Sequence, residues 1–299
     1  MNMNNNLSVI MLVYNEELHI KRCLENLVGF CQYIYIVDSF STDKTLNIAK
    51  KYTDNIFTGN FSSFSEKLNW AIENLPISTV WTMRLDADEI ITDNFKKNIY
   101  AKLETAGSDV GGIYIRRQLW FMRRWMKHGD MYPAYSMRIW KTRGVTCENR
   151  LLDEHMMLKE GTSITLNLDI IDNPLISIAT WVGKHNKYSD LEMISYFETK
   201  TSTMIESKFF GNQGERRRWL KNTLFYKMPL FFRPVIYFIY RYIIRFGFLD
   251  GKEGLVWHVL HGFWYRFLVD VKVYDIHKKA INDKQPIEKI IEKEYGYKI

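Results

Sequence analysis

The chain has 299 residues, of which 46% are hydrophobic, 25% charged and 15% aromatic. That composition excludes a disordered chain and leaves room for one large domain, or for a domain of about 200 residues with an appendage. A net charge of +7 favours anionic partners: nucleic acid, nucleotide phosphates or an anionic membrane. The three cysteines, Cys23, Cys31 and Cys147, form no C-x-x-C pair, so neither a zinc site nor a disulfide framework is indicated and a reducing cytosol is the natural compartment.

The opening MNMNNNLSVIMLVYNEE has no basic residue before its apolar run, and that run is too short for a signal sequence. Leu7 to Val13 is therefore expected as a buried first strand. A helical pattern follows from Glu17 to Val28, with Asn15 placed to cap it. Tyr33 to Val37 reads as a second strand ending in Asp38, and Ser41, Thr42 and Asp43 open a helix running through Lys51. Asn55 to Phe57 is a short third strand, Ser63 to Asn74 a helix and Thr79 to Leu85 a fourth strand. Strand alternating with helix implies an α/β fold, a mostly parallel sheet with helices on both faces. Further strands are expected at Gly112 to Phe121 and Tyr135 to Lys141, followed by the acidic stretch ENRLLDEHMM from Glu148 to Met157. From about Ile176 the pattern is helical, and from Arg216 it is basic and aromatic. A catalytic domain over 1–210 and a helical appendage over 211–299 are expected, divided around FFGNQGE.

The stretch WTMRLDADE carries the most chemistry. A strand ending there would deliver Asp86 and Asp88 to its carboxyl end on one face, because strand residues alternate sides. Hard cations such as Mg²⁺ or Mn²⁺ accept one or two carboxylates together with phosphate oxygens and water, so a D-x-D at a strand end suits a metal shared with a nucleotide diphosphate. Ligands of open α/β sheets bind beyond the carboxyl ends of the strands. Tyr14 to Glu16, Asp38 to Asp43 and Asp86 to Glu89 each follow a strand and are expected to share one crevice. Taken singly, each has a plainer reading: Glu16 as a first-turn residue favoured by the helix dipole, Asp38 as a strand terminator, Asp43 as a helix cap. No G-x-G-x-x-G follows the first strand and no P-loop pattern occurs, which excludes the two commonest phosphate-binding signatures. His128, His185, His258 and His261 show no ligand spacing and read as structural or surface groups.

Together LSVIMLVYNEE, IVDSFSTDKT, FSEKLNWAI, RLDADE and ENRLLDEHM resemble the family-2 glycosyltransferases of the GT-A fold, over roughly residues 7–160. The far C-terminal stretch is similar to the tails of bacterial transferases that build lipopolysaccharide cores and extracellular polysaccharides. The resemblance implies a UDP-sugar donor, with Glu16 and Asp38 meeting its uracil and ribose and with Tyr14, Asn15, Ser41, Asp43, Lys67 and Asn69 around the same crevice. It places Arg84 and Asp86 beside the nucleotide and donor sugar, and Asp88 on the Mg²⁺ or Mn²⁺ that bridges the phosphates. Glu154 matches the family's downstream glutamate and is expected as general base. Asp153 stands where relatives often show histidine, so the base is open between Asp153 and Glu154, with His155 a candidate metal or phosphate contact. Single in-line displacement would invert an α-linked donor to a β-glycoside.

Arg216 to Leu249 holds eight lysines and arginines, eleven aromatic residues and no acid. The motifs of RNA-reading modules are absent, so nucleic acid is not the expected partner. Basic residues interleaved with Phe, Ile and Leu in a helix suit an anionic membrane surface, with Lys227, Arg233, Arg241 and Arg245 snorkelling toward lipid phosphates. A core helix hairpin or homo-oligomer interface competes with that reading. The expected protein is a cytoplasmic transferase, peripheral on the inner face of the cytoplasmic membrane, using a lipid-linked or lipopolysaccharide-core saccharide as acceptor. The alternatives are a nucleotidyltransferase that makes a nucleotide sugar and a non-catalytic membrane scaffold.

Overall fold

The structure, a computed structural model, describes residues 6–152, 154–201, 213, 219, 223 and 225–298. The chain divides into two compact units, one formed by Met1–Trp125 with Tyr132–Leu175 and the other by Met126–Met131 with Ile176–Ile299. The expected domain boundary at 210–211 lies outside the described residues.

The first unit is built on a nine-stranded sheet. Its parallel side runs β3 (Ile56–Thr58), β2 (Tyr33–Asp38), β1 (Leu7–Val13) and β4 (Trp81–Arg84). All of β1 except Leu12 is buried, the pattern of a parallel strand covered on both faces, which is why its sequence is a near-continuous apolar run broken only by Ser8, whose hydroxyl accepts from Thr79. Register aligns Val13 with Asp38 and Ile10 with Arg84, so the polar residues that follow each strand emerge at one edge. Helices α1 (Ile20–Leu27), α2 (Thr45–Ala49) and α3 (Phe64–Asn74) make the crossovers. Ser63 caps α3 by accepting from the Glu66 N–H, while the Glu66 carboxylate returns to the Ser62 N–H, a capping box displaced by one residue.

Beyond β4 the sheet becomes mixed. After the short β5 (Glu89–Ile91) and α4 (Asp93–Glu104) come β6 (Val110–Phe121), β7 (Arg124–Trp125) and β8 (Ala134–Lys141). Strand β8 pairs antiparallel with both β4 and β6. A small hairpin of β9 (Val145–Cys147) and β10 (Met156–Leu158) precedes β11 (Thr162–Asp172), which runs parallel to β6 and antiparallel to β5. The fold class read from the sequence is therefore the observed one, with β5, α4, β7, β9, β10 and β11 added to it.

Two local expectations are corrected. The fourth strand stops at Arg84 instead of Leu85, so Asp86 and Asp88 lie on the turn into β5. Burial still alternates, with Leu85, Ala87 and Glu89 inside and Asp86 and Asp88 half-buried, so the two carboxylates do share a side. Asn15 does not cap α1: its backbone is left-handed, with φ 54°, and its side chain is turned to another loop. The first turn of α1 forms instead on the Glu16 carbonyl, which accepts from the His19 and Ile20 N–H groups.

The second unit is helical. Its described elements include α5 (Ile178–Thr201), a helix Phe232–Ile239 that continues as π-helical Tyr240–Ile244, a helix Gly251–Trp257 continuing as π-helical His258–Trp264, and helices Tyr265–Asp283 and Ile287–Tyr295. Helix α5 is held to Tyr265–Asp283 by Glu192, which accepts from the Tyr265 hydroxyl at 2.6 Å and from Arg266. Among the described residues no helix is long and apolar enough to cross a membrane. The expectation that Arg233 and Arg241 snorkel outward is overturned: both are buried. Arg233 Nε donates to Asp270 Oδ1 at 2.7 Å, and Arg241 donates to the Gly129 carbonyl and the Tyr237 hydroxyl. Each guanidinium is thus held inside the helical unit by a partner on another segment, Arg233 by a carboxylate whose charge offsets its own.

Candidate active site

The loops after β1 and β2 are joined by side chains bonding to backbone. Asn15 Oδ1 accepts from the Thr42 N–H at 2.8 Å, and Ser41 Oγ accepts from the Asn15 N–H at 2.9 Å. Thr45 Oγ1 accepts from the Glu16 N–H at 2.7 Å. Asp43 accepts from the Glu17 and Thr45 N–H groups, which holds its carboxyl below the usual range against the effect of burial. Asp38 is wholly buried at the end of β2 and accepts from the Ser41 N–H at 2.9 Å and from the Ser41 hydroxyl. Asn15, Ser41, Asp38 and Asp43 thus set the shape of the two strand-end loops, and Tyr14 stands exposed beside them.

Glu16 faces inward. Its carboxylate accepts from His19 Nδ1 at 2.7 Å, and His19 Nε2 accepts from the Leu175 N–H at 2.9 Å. Because a backbone N–H can only donate, His19 carries its proton on Nδ1 and is a neutral link between Glu16 and the chain after β11.

The β4–β5 turn is crowded with charge. Arg138, from β8, donates to Asp86 at 3.1 Å and to Glu89 at 2.6 Å, and Arg84 reaches Asp86 at 3.4 Å. Burial would raise the Asp86 carboxyl, but Arg84 and Arg138 outweigh it and hold it near 2. Asp88 is treated oppositely. Burial first, then Asp172, Asp86 and Glu16, push it up to about 7. Among the described residues no basic side chain forms an ion pair with it, although Arg22 Nη2 donates to its backbone carbonyl at 2.9 Å. Asp172 pairs in register with Glu89 and is bridged to Arg117 at 3.3 Å. Glu16, Asp86 and Asp172 therefore act on one half-buried carboxyl, which brings the loop after β1 and the end of β11 within electrostatic reach of the β4–β5 turn.

Helix α3 ties this edge to the hairpin. Lys67 is buried and donates to the Val13 carbonyl and to Ser39 Oγ, each at 2.7 Å, bridging the ends of β1 and β2. Asn69 spends both ends of its amide on Cys147, donating to its carbonyl at 2.9 Å and accepting from its N–H at 2.7 Å. Ser65 Oγ meets Asn149 Oδ1 at 3.2 Å. The loop after β9 carries Glu148, half-buried Glu154 and His155, whose Nδ1 lies 3.8 Å from Glu148. Asp153 lies outside the described residues. Burial pushes the Cys147 thiol up to about 11, Glu154 adding to the rise and Arg84 opposing it, so Cys147 stands within electrostatic reach of both.

Not every expected residue converges. Among the described residues no group of three or more His, Cys, Asp or Glu side chains is arranged to hold a metal, so Asp86, Asp88 and His155 do not form such a set. The expectations also omitted His19, Arg138 and Asp172. His19 stands three residues after Glu16, a spacing that places both on one helical face; Arg138 and Asp172 arrive from strands distant in sequence and carry no local signal.

Comparison with known proteins agrees with this architecture. Over 277 residues the chain is 25% identical to the lipopolysaccharide core biosynthesis glycosyltransferase LpsC of Rhizobium meliloti, covering 91% of this chain and 93% of that protein. It is 19% identical to the uncharacterized glycosyltransferase RT0209 of Rickettsia typhi, covering 92% and 89% of the two chains. The mannosyltransferase PcManGT of Pyrobaculum calidifontis, solved with GDP-Man and Mn²⁺, shares the fold at a TM-score of 0.54 and 11% identity, over 90% of this chain and 87% of that one. Residues 8–160, just over half of the sequence and the span holding every strand-end carboxylate but Asp172, match Glycosyl transferase family 2, and the chain belongs to that family of glycosyltransferases.

Proposed function

We propose that this glycosyltransferase moves a hexose from a UDP-sugar to a lipid-linked or lipopolysaccharide-core saccharide, with inversion and with help from Mg²⁺ or Mn²⁺, at the anionic inner face of the cytoplasmic membrane. The observation that carries the proposal is the Asp88 carboxyl, half-buried among three other carboxylates without a paired cation among the described residues. A site that spends stability on an uncompensated carboxylate suits a divalent cation arriving with a nucleotide diphosphate. Asp88, with Asp86 beside it, would hold that cation, and diphosphate oxygens and water would complete its shell. When bound, it offsets the charge gathering on the departing UDP.

The chain's own residues supply the rest. The floor made by Asn15, Asp38, Ser41 and Asp43 and the exposed Tyr14 would receive the nucleoside, with Glu16 and Asp38 as acceptors for imide and ribose protons. Arg84 and the arginine-bridged Asp86 would face the donor sugar. An acceptor hydroxyl attacks the anomeric carbon as the bond to the β-phosphate oxygen breaks; the electron pair leaves with UDP and the hydroxyl proton passes to Glu154 or Asp153. Asn69 and Ser65 act by fixing the loop that carries those carboxylates. Lys67 serves as a strut under the crevice. Similarity to LpsC supports the acceptor class.

The test is thermal stabilisation by a panel of UDP- and GDP-sugars, with and without Mg²⁺ or Mn²⁺. A ligand at a hundred times its dissociation constant contributes about 2.7 kcal/mol, which is readily seen. Metal-dependent stabilisation by a UDP-sugar is expected. A response confined to GDP-sugars would move the donor class, and silence toward every nucleotide sugar in folded protein would defeat the proposal.

A further inference from the structure

The helix Phe232–Ile239 and its π-helical continuation to Ile244 are built inside out. Arg233, Pro234 and Arg241 are buried, whereas Phe232, Val235, Ile236, Ile239, Ile243 and Ile244 are exposed, Phe232 at 69% and Ile244 at 59%. Their intervals of three and four residues put them on one helical face. Thirteen residues at helical rise make a ridge on the order of 20 Å long. Phe246 and Phe248 leave further exposed rings beyond its end. The inward face explains the arrangement: the Arg233 guanidinium is ion-paired to Asp270 and lies over the rings of Tyr196, Phe225 and Tyr226 at 5.2–5.4 Å. Arginines that anchor the helix from within leave its apolar side chains with no place but the surface.

We infer that this ridge is a membrane-inserting element: it lies in the plane of a lipid leaflet, its apolar face among the acyl chains and its flanking cations at headgroup depth. The inference deepens the membrane partner of the proposed function and rests on that reading only for the identity of the acceptor. Charge selects the occupant. The stretch from Arg216 to Leu249 has eight lysines and arginines and no acid, and with Arg233 and Arg241 turned inward its exposed described cations are Lys227 and Arg245, one at each end of the ridge. A second copy laid against the ridge would bring its like-charged ends together, whereas an anionic leaflet complements Lys227 and Arg245. Exposed Lys227 stands before the ridge, and Arg245, 49% exposed and 3.5 Å from Asp130, stands after it. In-plane insertion also fits a chain with no described helix long enough to cross.

Flotation of the full-length protein with phosphatidylcholine vesicles, with and without phosphatidylglycerol, at low and high salt, tests the inference. Binding to phosphatidylglycerol vesicles is expected to survive high salt in substantial part, because acyl-chain insertion is not screened. The double variant Ile239→Glu/Ile243→Glu should lower partitioning at least about tenfold while keeping its far-UV circular dichroism and thermal midpoint. The pair Lys227→Gln/Arg245→Gln should remove only the salt-sensitive part. The inference is overturned if the wild type floats with no vesicle, if the glutamate variant floats as the wild type does, or if light scattering shows a dimer that the glutamate variant dissolves without any vesicle binding. Nucleotide-sugar binding, measured on the same samples, separates the two readings: vesicle binding by protein that takes no nucleotide sugar leaves the ridge standing and removes the donor assignment.

Discussion

Arg138 and Glu89, from strands separated by almost fifty residues, form an ion pair of 2.6 Å in which neither side chain is more than 2% exposed. The same guanidinium extends to Asp86 at 3.1 Å, and the second Glu89 oxygen accepts from the Asp86 N–H at 2.9 Å. Asp86 is therefore held at backbone and side chain by one buried pair. Burial works against the Arg138 charge, but Glu89 and Asp86 hold its pKa above the ordinary value. Replacing Arg138 by Met leaves Glu89 buried without its counter-charge and should cost about 3–5 kcal/mol of unfolding free energy. Adding Glu89→Met should recover part of that loss, since the stranded charge is then gone. Urea titration of both variants checks this, and a double variant weaker than the single one would show that the pair contributes more than its desolvation costs.

Asp88 should behave in the opposite sense. Its carboxyl is crowded by Asp172, Asp86 and Glu16, so Asp88→Asn removes a repulsion that the metal-free protein otherwise carries. At pH 8, where the carboxyl is mostly ionised, the variant should unfold at a higher temperature than the wild type in chelator. It should also gain nothing from Mn²⁺ added with UDP, and its transfer rate should fall at least about a hundredfold. A variant that is less stable without metal, or still stabilised by Mn²⁺ and UDP, argues that Asp88 is not the cation's carboxylate.

The parts of this site that could be read from sequence are those built by contiguous residues. LSVIMLV is apolar apart from Ser8 because β1 is covered on both faces, and the polar residues following β1, β2 and β4 emerge together because parallel strands in register end at one edge. What escaped reading depends on partners far along the chain. Asn15 was expected at the helix start, but an asparagine in a left-handed turn finds the Thr42 N–H in the neighbouring loop instead. Basic residues interleaved with Phe, Ile and Leu suggest that Arg233 and Arg241 snorkel toward a lipid surface; Asp270 and the Gly129 carbonyl, remote in sequence, draw them inside. Periodicity identifies a helix face but not which face the tertiary structure will bury.

Asn69 offers a test of the hairpin as a catalytic support. Its amide makes two bonds to Cys147, each worth about 1 kcal/mol, and the loop beyond Cys147 carries Glu154. Asn69→Ala should lower kcat by about tenfold while the KM for the nucleotide sugar changes less than about twofold, because the loop loosens while the strand-end site stays intact. Glu154→Gln should give the sharper form of the same split, with nucleotide-sugar binding kept and turnover nearly lost. Steady-state kinetics with the donor varied would decide, and a KM rise equal to the kcat loss in Asn69→Ala would place that residue at the donor.

Lys67 supplies a pH dependence. Burial depresses its pKa from 10.5 to about 8, with Asp38 opposing. Its two acceptors, the Val13 carbonyl and Ser39 Oγ, match the two hydrogens of a neutral amine, so deprotonation leaves both bonds available. Between about pH 8 and 10.5 the unfolded chain binds more protons at this lysine than the folded one, so stability from this group rises with pH across that window and is lost as pH falls through the folded value. Lys67→Met removes the term. The difference in unfolding free energy, wild type minus variant, should therefore grow between pH 7.5 and 10, measured by urea titration at each pH. A difference that shrinks over that range would mean that the folded protein prefers the ammonium form, with Asp38 outweighing burial.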